Sequence, residues 1–102
     1  MLADNINHNR AKEAALDMKR YQADVTVLPK DGVLDIQGKA VEKTLGAHGY
    51  DAVGDVRVGK FIRFRVDAED DAAAAETVRA VADDLLVNDL VESYSYTLEP
   101  LS

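Results

Sequence analysis

The side chains that could carry covalent or acid–base chemistry in this chain are few, and their spacing does not bring them together. There is no cysteine, which removes a thiolate nucleophile, a cysteine metal site and any disulfide framework. Serine occurs only at Ser93, Ser95 and Ser102, and no serine triad can be assembled from them. His8 and His48 are far apart and lack an evident acid–base or metal-binding neighbour. His8 is expected to be solvated. His48 is expected in the last turn of a helix, where the dipole favours an imidazolium. Gly59-Lys60 is too short a match to be a phosphate loop of the GxxxxGK[ST] type. Asp83 and Asp84 are adjacent on a predicted helix, so they diverge into solvent rather than pairing. Arg57, Lys60, Arg63 and Arg65 could make a local basic patch, or they could be a solvated or protein-facing strand face. The net charge of −7 and pI near 4.6 favour the second reading, because phosphate backbones are bound by a basic footprint. The residues predict no catalytic group, bound cofactor or metal of the chain's own.

The elements that would position these residues fit one domain. A chain of 102 residues buries only about 60–70% of its unfolded surface, which favours association. With 47% hydrophobic and 30% charged residues, the composition is that of an ordinary globular protein. No apolar run reaches the ~18–20 residues that span a bilayer, and the first residues lack a signal-peptide core. A cytoplasmic protein is expected. Residues 1–18 look like an extension, poorly packed or forming a short Ala-rich helix from Arg10. The domain is expected over 19–99, with 100–102 as a tail.

The stretch Val53 to Asp67 organises the rest. Val56, Val58, Ile62, Phe64 and Val66 alternate with Arg57, Gly59, Phe61, Arg63 and Arg65, the period of a half-buried strand. Parity does not swap across Gly59. Either that glycine sits in an odd-length turn or bulge, or one long bent strand runs through. A strand that outruns its own sheet needs another edge, and a second copy of the chain would supply it. Before it, Arg20 to Leu28 alternates with Tyr21, Ala23, Val25 and Val27 on one face, and Pro29 to Gly32 reads as a turn. Asp35 is placed to cap a helix carrying Ile36, Ala40, Val41, Thr44 and Leu45, which Gly49 and Tyr50 would close in a Schellman ending. A second helix follows the acidic run Glu69 to Asp71, with a stripe of Ala74, Thr77, Val78, Val81 and Leu85 widened by Ala82 and Leu86. Asn88 is the expected left-handed residue after it. The last strand is Leu90 to Leu98, with Tyr94, Tyr96 and Leu98 on one face, and Pro100 ends it.

The order β-α-(long β, or β-β)-α-β predicts an α+β two-layer sandwich of ferredoxin-like, split-βαβ type or a close relative. Its antiparallel sheet would have two helices on one face and a long central strand.

Three stretches, taken in order and at their spacing, resemble the PurS family. They are VLDIQG (Val33 to Gly38), DVRVGK (Asp55 to Lys60), and LLVN (Leu85 to Asn88) leading into Val91-Glu92-Ser93-Tyr94. The family pattern is VLDPQG, DVRxGK, and LLxN followed by a glutamate and a tyrosine. Ile36 and Asp89 depart from it; at Ile36 a favoured first-turn proline is lost. PurS is the small subunit of bacterial and archaeal phosphoribosylformylglycinamidine synthase. The resemblance implies a homodimer or higher oligomer that joins a glutaminase subunit to an ATP-dependent synthetase subunit and assists ammonia transfer. ATP, magnesium and glutamine would be used by those partners. Asp35, Gly59 and Asn88 would then be structural, and Gln37, Gly38, Arg57, Lys60, Glu92 and Tyr94 would be the candidates for dimer or partner contacts. A rival reading is a stand-alone ferredoxin-like domain sensing a small metabolite at a dimer interface, since topology does not fix function.

Overall fold

In the computed structural model, which describes residues 18–101, three strands form one antiparallel sheet. They are β1 (Lys19–Pro29), β2 (Lys60–Ala68) and β3 (Glu92–Leu101), in the order β2-β1-β3. Two helices intervene, α1 (Ile36–Ala47) and α2 (Asp71–Val81), the second continuing into a π-helical turn over Ala82–Leu86. The expected N-terminal extension, with its short helix from Arg10 and its solvated His8, falls on residues 1–17, outside the described residues.

β1 is antiparallel to both neighbours, so β2 and β3 run parallel to each other with β1 between them. Parallel strands need a crossover, and α2 supplies it: β2-α2-β3 is a split βαβ unit. Register follows the alternation read in the sequence. Val25 faces Ile62 on one side and Tyr96 on the other, and Ala23 faces Phe64 and Leu98. Tyr21, Ala23, Val25 and Val27 are buried on the face that α2 covers with Ala74, Val78 and Ala82. Ile62, Phe64, Tyr94, Tyr96 and Leu98 flank this core, half-buried. On the other face Asp24 accepts two hydrogen bonds from Arg63, directly opposite it, at 2.8 and 3.2 Å. These bonds hold its carboxyl below the usual range and tie β1 to β2 in register.

The expected α+β class with an antiparallel sheet and two helices is what the chain adopts, but four placements differ. The long strand is not central. Residues 53–59 lie outside the sheet, and β2 begins at Lys60 as an edge strand. The alternation before Gly59 comes from a segment held by side chains of α1 rather than by a ladder. Only α2 lies on the sheet. α1 buries only Gly38 and has no comparable contact with any strand. Asn88 is not left-handed; Val87 ends the helical run in an extended conformation. Finally β3 continues through Pro100, which sits opposite Tyr21, to Leu101. On an edge strand a proline's missing N–H can face away from the ladder.

Candidate functional site

The three motif stretches meet at one end of the sheet, where β1 leaves and β2 enters. Asp35 begins the construction. From extended backbone it caps α1, its Oδ1 accepting the N–H of Gly38 at 2.9 Å, and its Oδ2 accepts the N–H of Val58 at 2.9 Å. Those bonds, Gly38 first and Val58 second, hold its carboxyl below the usual carboxylate range. Two helical turns on, Glu42 accepts the N–H of Val56 at 3.2 Å. The helix therefore runs antiparallel to the segment and holds two of its alternate amides. Gly38 has no room for a side chain: a Cβ would strike the Asp35 carboxylate and the Val56 carbonyl. Gly59 is equally constrained, with the Val27 carbonyl and the Leu28 side chain against it. Asp55, at φ 54°, takes the left-handed turn into the segment, a conformation aspartate tolerates better than most residues.

Arg57 pairs with Asp31 at 3.1 Å on the turn after β1, where Gly32 adopts φ 82°. Lys60 Nζ donates to the Leu86 carbonyl at 3.2 Å, tying the start of β2 to the π turn. Lys30 Nζ reaches the Asp89 carbonyl, and its N–H donates to the Val91 carbonyl at 2.9 Å. Asn88 closes this last loop: its Oδ1 accepts from Leu90 N–H, and its carbonyl accepts from Val91 and Glu92 N–H. Glu92 completes the loop by accepting the Asn88 N–H at 2.8 Å.

Of the six candidate contact residues, Gly38, Arg57, Lys60 and Glu92 are thus engaged within the chain at this junction. Gln37 is exposed on α1. Tyr94 lies half-buried beside the core on β3, and burial, reinforced by Asp83, pushes its hydroxyl up and keeps it a neutral phenol. Arg63 and Arg65 also have ion-pair partners, Asp24 and Asp67, so the four strand-region cations do not make an open basic patch. The sequence reading did not single out Glu42, Lys30 and Asp31. Glu42 had a signal: it is seven residues after Asp35, which places both carboxylates on one helical face.

Beside the junction, an open cleft of about 940 Å3 lies between the turn after β1, α1 and the segment that follows it. Its charged lining is mixed, with Lys30, Lys39 and Arg57 among Asp31, Asp35, Glu42, Asp51 and Asp55. Among the described residues no cluster of histidine and carboxylate side chains is arranged to hold a metal ion. None of the described helices is long and apolar enough to cross a membrane.

Comparison with known proteins places this architecture. The family model described as PurS, phosphoribosylformylglycinamidine (FGAM) synthase, matches residues 22–100. The PurS subunit of that synthase from a Synechocystis species is 36% identical over 79% of this chain and 81% of its own length. The Bacillus subtilis subunit is 35% identical over 78% of this chain and 93% of its own. Among solved structures, Thermus thermophilus PurS superimposes with a TM-score of 0.72 at 39% identity, covering 81% of this chain and 99% of that one. A chain in the structure of PurLQS from Thermotoga maritima does so at 0.72 and 31%, covering 82% and 100%. The chain belongs to the PurS family of phosphoribosylformylglycinamidine synthase subunits.

Proposed function

We propose that this chain is a non-catalytic subunit of phosphoribosylformylglycinamidine synthase in purine biosynthesis. In this reading it bridges the glutaminase and ATP-dependent synthetase subunits in the cytoplasm and assists the passage of ammonia between them. ATP, magnesium and glutamine are bound by those partners. The observation that carries the proposal is the convergence of all three family motifs on one end of the sheet. Asp35, Arg57, Lys60, Asn88 and Glu92 are committed there to backbone groups and an ion pair that support the shape of a surface. A scaffold needs a fixed surface of this kind.

Self-association belongs to the same reading. Val41 is 42% exposed, and with Ala40, Thr44 and Leu45 it forms a shallow apolar strip on α1 that the sheet of its own chain does not cover. Beside α2, Ile62 and Phe64 are half-buried next to the free edge of β2. One chain thus carries both halves of a self-complementary contact, as a two-fold dimer requires. Val41→Asp combined with Leu45→Asp is expected to convert a dimer to a monomer in sedimentation velocity.

The test of function is add-back. Purified glutaminase and synthetase subunits are assayed for glutamine-dependent amidine synthesis with and without this chain. Restored activity supports the proposal. No restoration by a folded chain with its authentic partners would refute it.

A further inference from the structure

The most exposed large apolar side chains of the described residues are Leu85, at 82%, and Leu90, at 86%. Single exposed leucines are ordinary, but these two are placed by a local device. Had α2 continued with α-helical spacing, Leu85 would extend the stripe of Ala74, Val78 and Val81 or Ala82 onto the sheet. Instead the Val87 N–H donates to the Ala82 carbonyl at 3.0 Å, five residues back. The resulting π turn delivers Leu86 and Val87 to the core and turns Leu85 outward. Such turns are inserted at a cost and recur at functional sites.

The loop that follows is held from several sides. Lys60 and Lys30 donate to the carbonyls of Leu86 and Asp89. Asn88 folds the loop onto itself, and Glu92 accepts the Asn88 N–H. The two leucines are therefore presented on ordered backbone, and five residues of chain can separate them by at most about 18 Å. Little loop ordering remains to oppose binding. Around them, Asp84 and Asp89 are exposed and have no ion pair among the described residues. Lys30 and Lys60 keep their charge while donating to loop carbonyls, and with Asp83 and Glu92 the four carboxylates outnumber them.

We propose that Leu85 and Leu90 form a preorganised apolar knob that seats in an apolar socket rimmed by lysine or arginine on a protein partner other than a second copy of this chain. Charge argues against self-docking. A two-fold contact would set Asp84 and Asp89 against their own copies in a chain of net charge −7, and like charges across an interface cost affinity. An anionic membrane surface is disfavoured for the same reason. This inference rests on the proposed function, which supplies the partners to be tested.

The experiment measures binding of the full chain to the purified synthetase subunit and to the purified glutaminase subunit. It uses wild type, Leu85→Ser with Leu90→Ser, and Asp84→Lys with Asp89→Lys, with melting temperature and self-association recorded for each. The serine pair is expected to weaken binding to one subunit at least tenfold, with melting temperature and self-association unchanged. The lysine pair is expected to weaken the same binding severalfold and to reduce its sensitivity to salt. Wild-type affinity in both double variants would overturn the inference and leave the proposed function standing. Loss of self-association in the serine pair would assign the knob to a second copy and overturn it too. Failure of the wild-type chain to bind either subunit would overturn the proposed function together with it.

Discussion

α1 and α2 are nearly the same length, each is capped by an aspartate, and each connects two strands, yet they are held by different forces. α2 joins parallel strands and has to cross the sheet, so Ala74 and Val78 are buried in the core against it. α1 joins antiparallel neighbours, β1 and β2, which a two-residue hairpin could have connected. No topological requirement lays it on the sheet. It is fixed by Asp35 and Glu42 to the amides of Val58 and Val56, and its apolar strip is left outward. One half of this molecule is thus stabilised by burial within the chain. The other half is shaped by polar anchors and leaves an apolar strip exposed.

The largest expected effect comes where the α1 excursion rejoins the sheet. Gly59→Ala would drive a Cβ into the Val27 carbonyl, a backbone atom that cannot move aside alone. A loss of about 3 kcal/mol is expected from such overpacking, read as a fall in melting temperature of more than about 10 °C. Gly46→Ala in α1 is the control. Its Cβ meets nothing within 4 Å, and removing a helical glycine should stabilise by about 0.5–1 kcal/mol. A benign Gly59→Ala would show that the junction is not rigid.

Val78→Ala in α2 removes fully buried methyl groups and is expected to cost about 2 kcal/mol in denaturant unfolding. Val41→Ala in α1 should change the unfolding of the monomer, at low concentration, by less than about 0.5 kcal/mol, while weakening self-association. Equal losses from both would break the contrast.

The Asp35 anchor of α1 responds to pH. Its carboxyl is held low in the folded chain by the Gly38 and Val58 amides, so the stabilisation is fully present above the unfolded value of about 3.9. It is lost as pH falls through the lower folded value. Asp35→Asn should lower the melting temperature by a few degrees at pH 7. That deficit should shrink below about pH 4 as the wild-type carboxylate is protonated. A deficit independent of pH would mean that shape, and not charge, makes the cap.

What could be read from the sequence follows the same division. The alternation of Tyr21, Ala23, Val25 and Val27 identified the buried face of β1, because a strand with one face covered must alternate. Gly49 and Tyr50 close α1 as expected, with Tyr50 N–H donating to the Leu45 carbonyl and Gly49 N–H to that of Gly46. Such local signals are written within a few residues. The position of β2 at the edge was not legible, since Val56 and Val58 alternate like strand residues while their amides bond to Glu42 and Asp35. Leu85 was misplaced because a π turn shifts helical phase by one residue and leaves no mark in composition. Pro100 looked like a stop because its tolerance depends on which strand is the edge. At the site, the motif residues were recognisable by their pattern. Their roles depended on partners such as Asp31 and Leu86, some twenty-six residues away along the chain.

The smallest expected effect on stability is at Arg57. Its partner Asp31 is 96% exposed, and an ion pair of that kind contributes little in water. Arg57→Ala should therefore change folding stability by no more than about 0.5 kcal/mol. If the junction also presents Arg57 to a partner, the same substitution should reduce glutamine-dependent synthase activity in the reconstituted complex severalfold, with the loss relieved at higher chain concentration. A melting temperature and an activity that both stay at wild-type values would make the Arg57–Asp31 pair a solvated ornament of the turn. The contact surface would then have to be sought on the apolar residues that α1 and the π turn leave exposed.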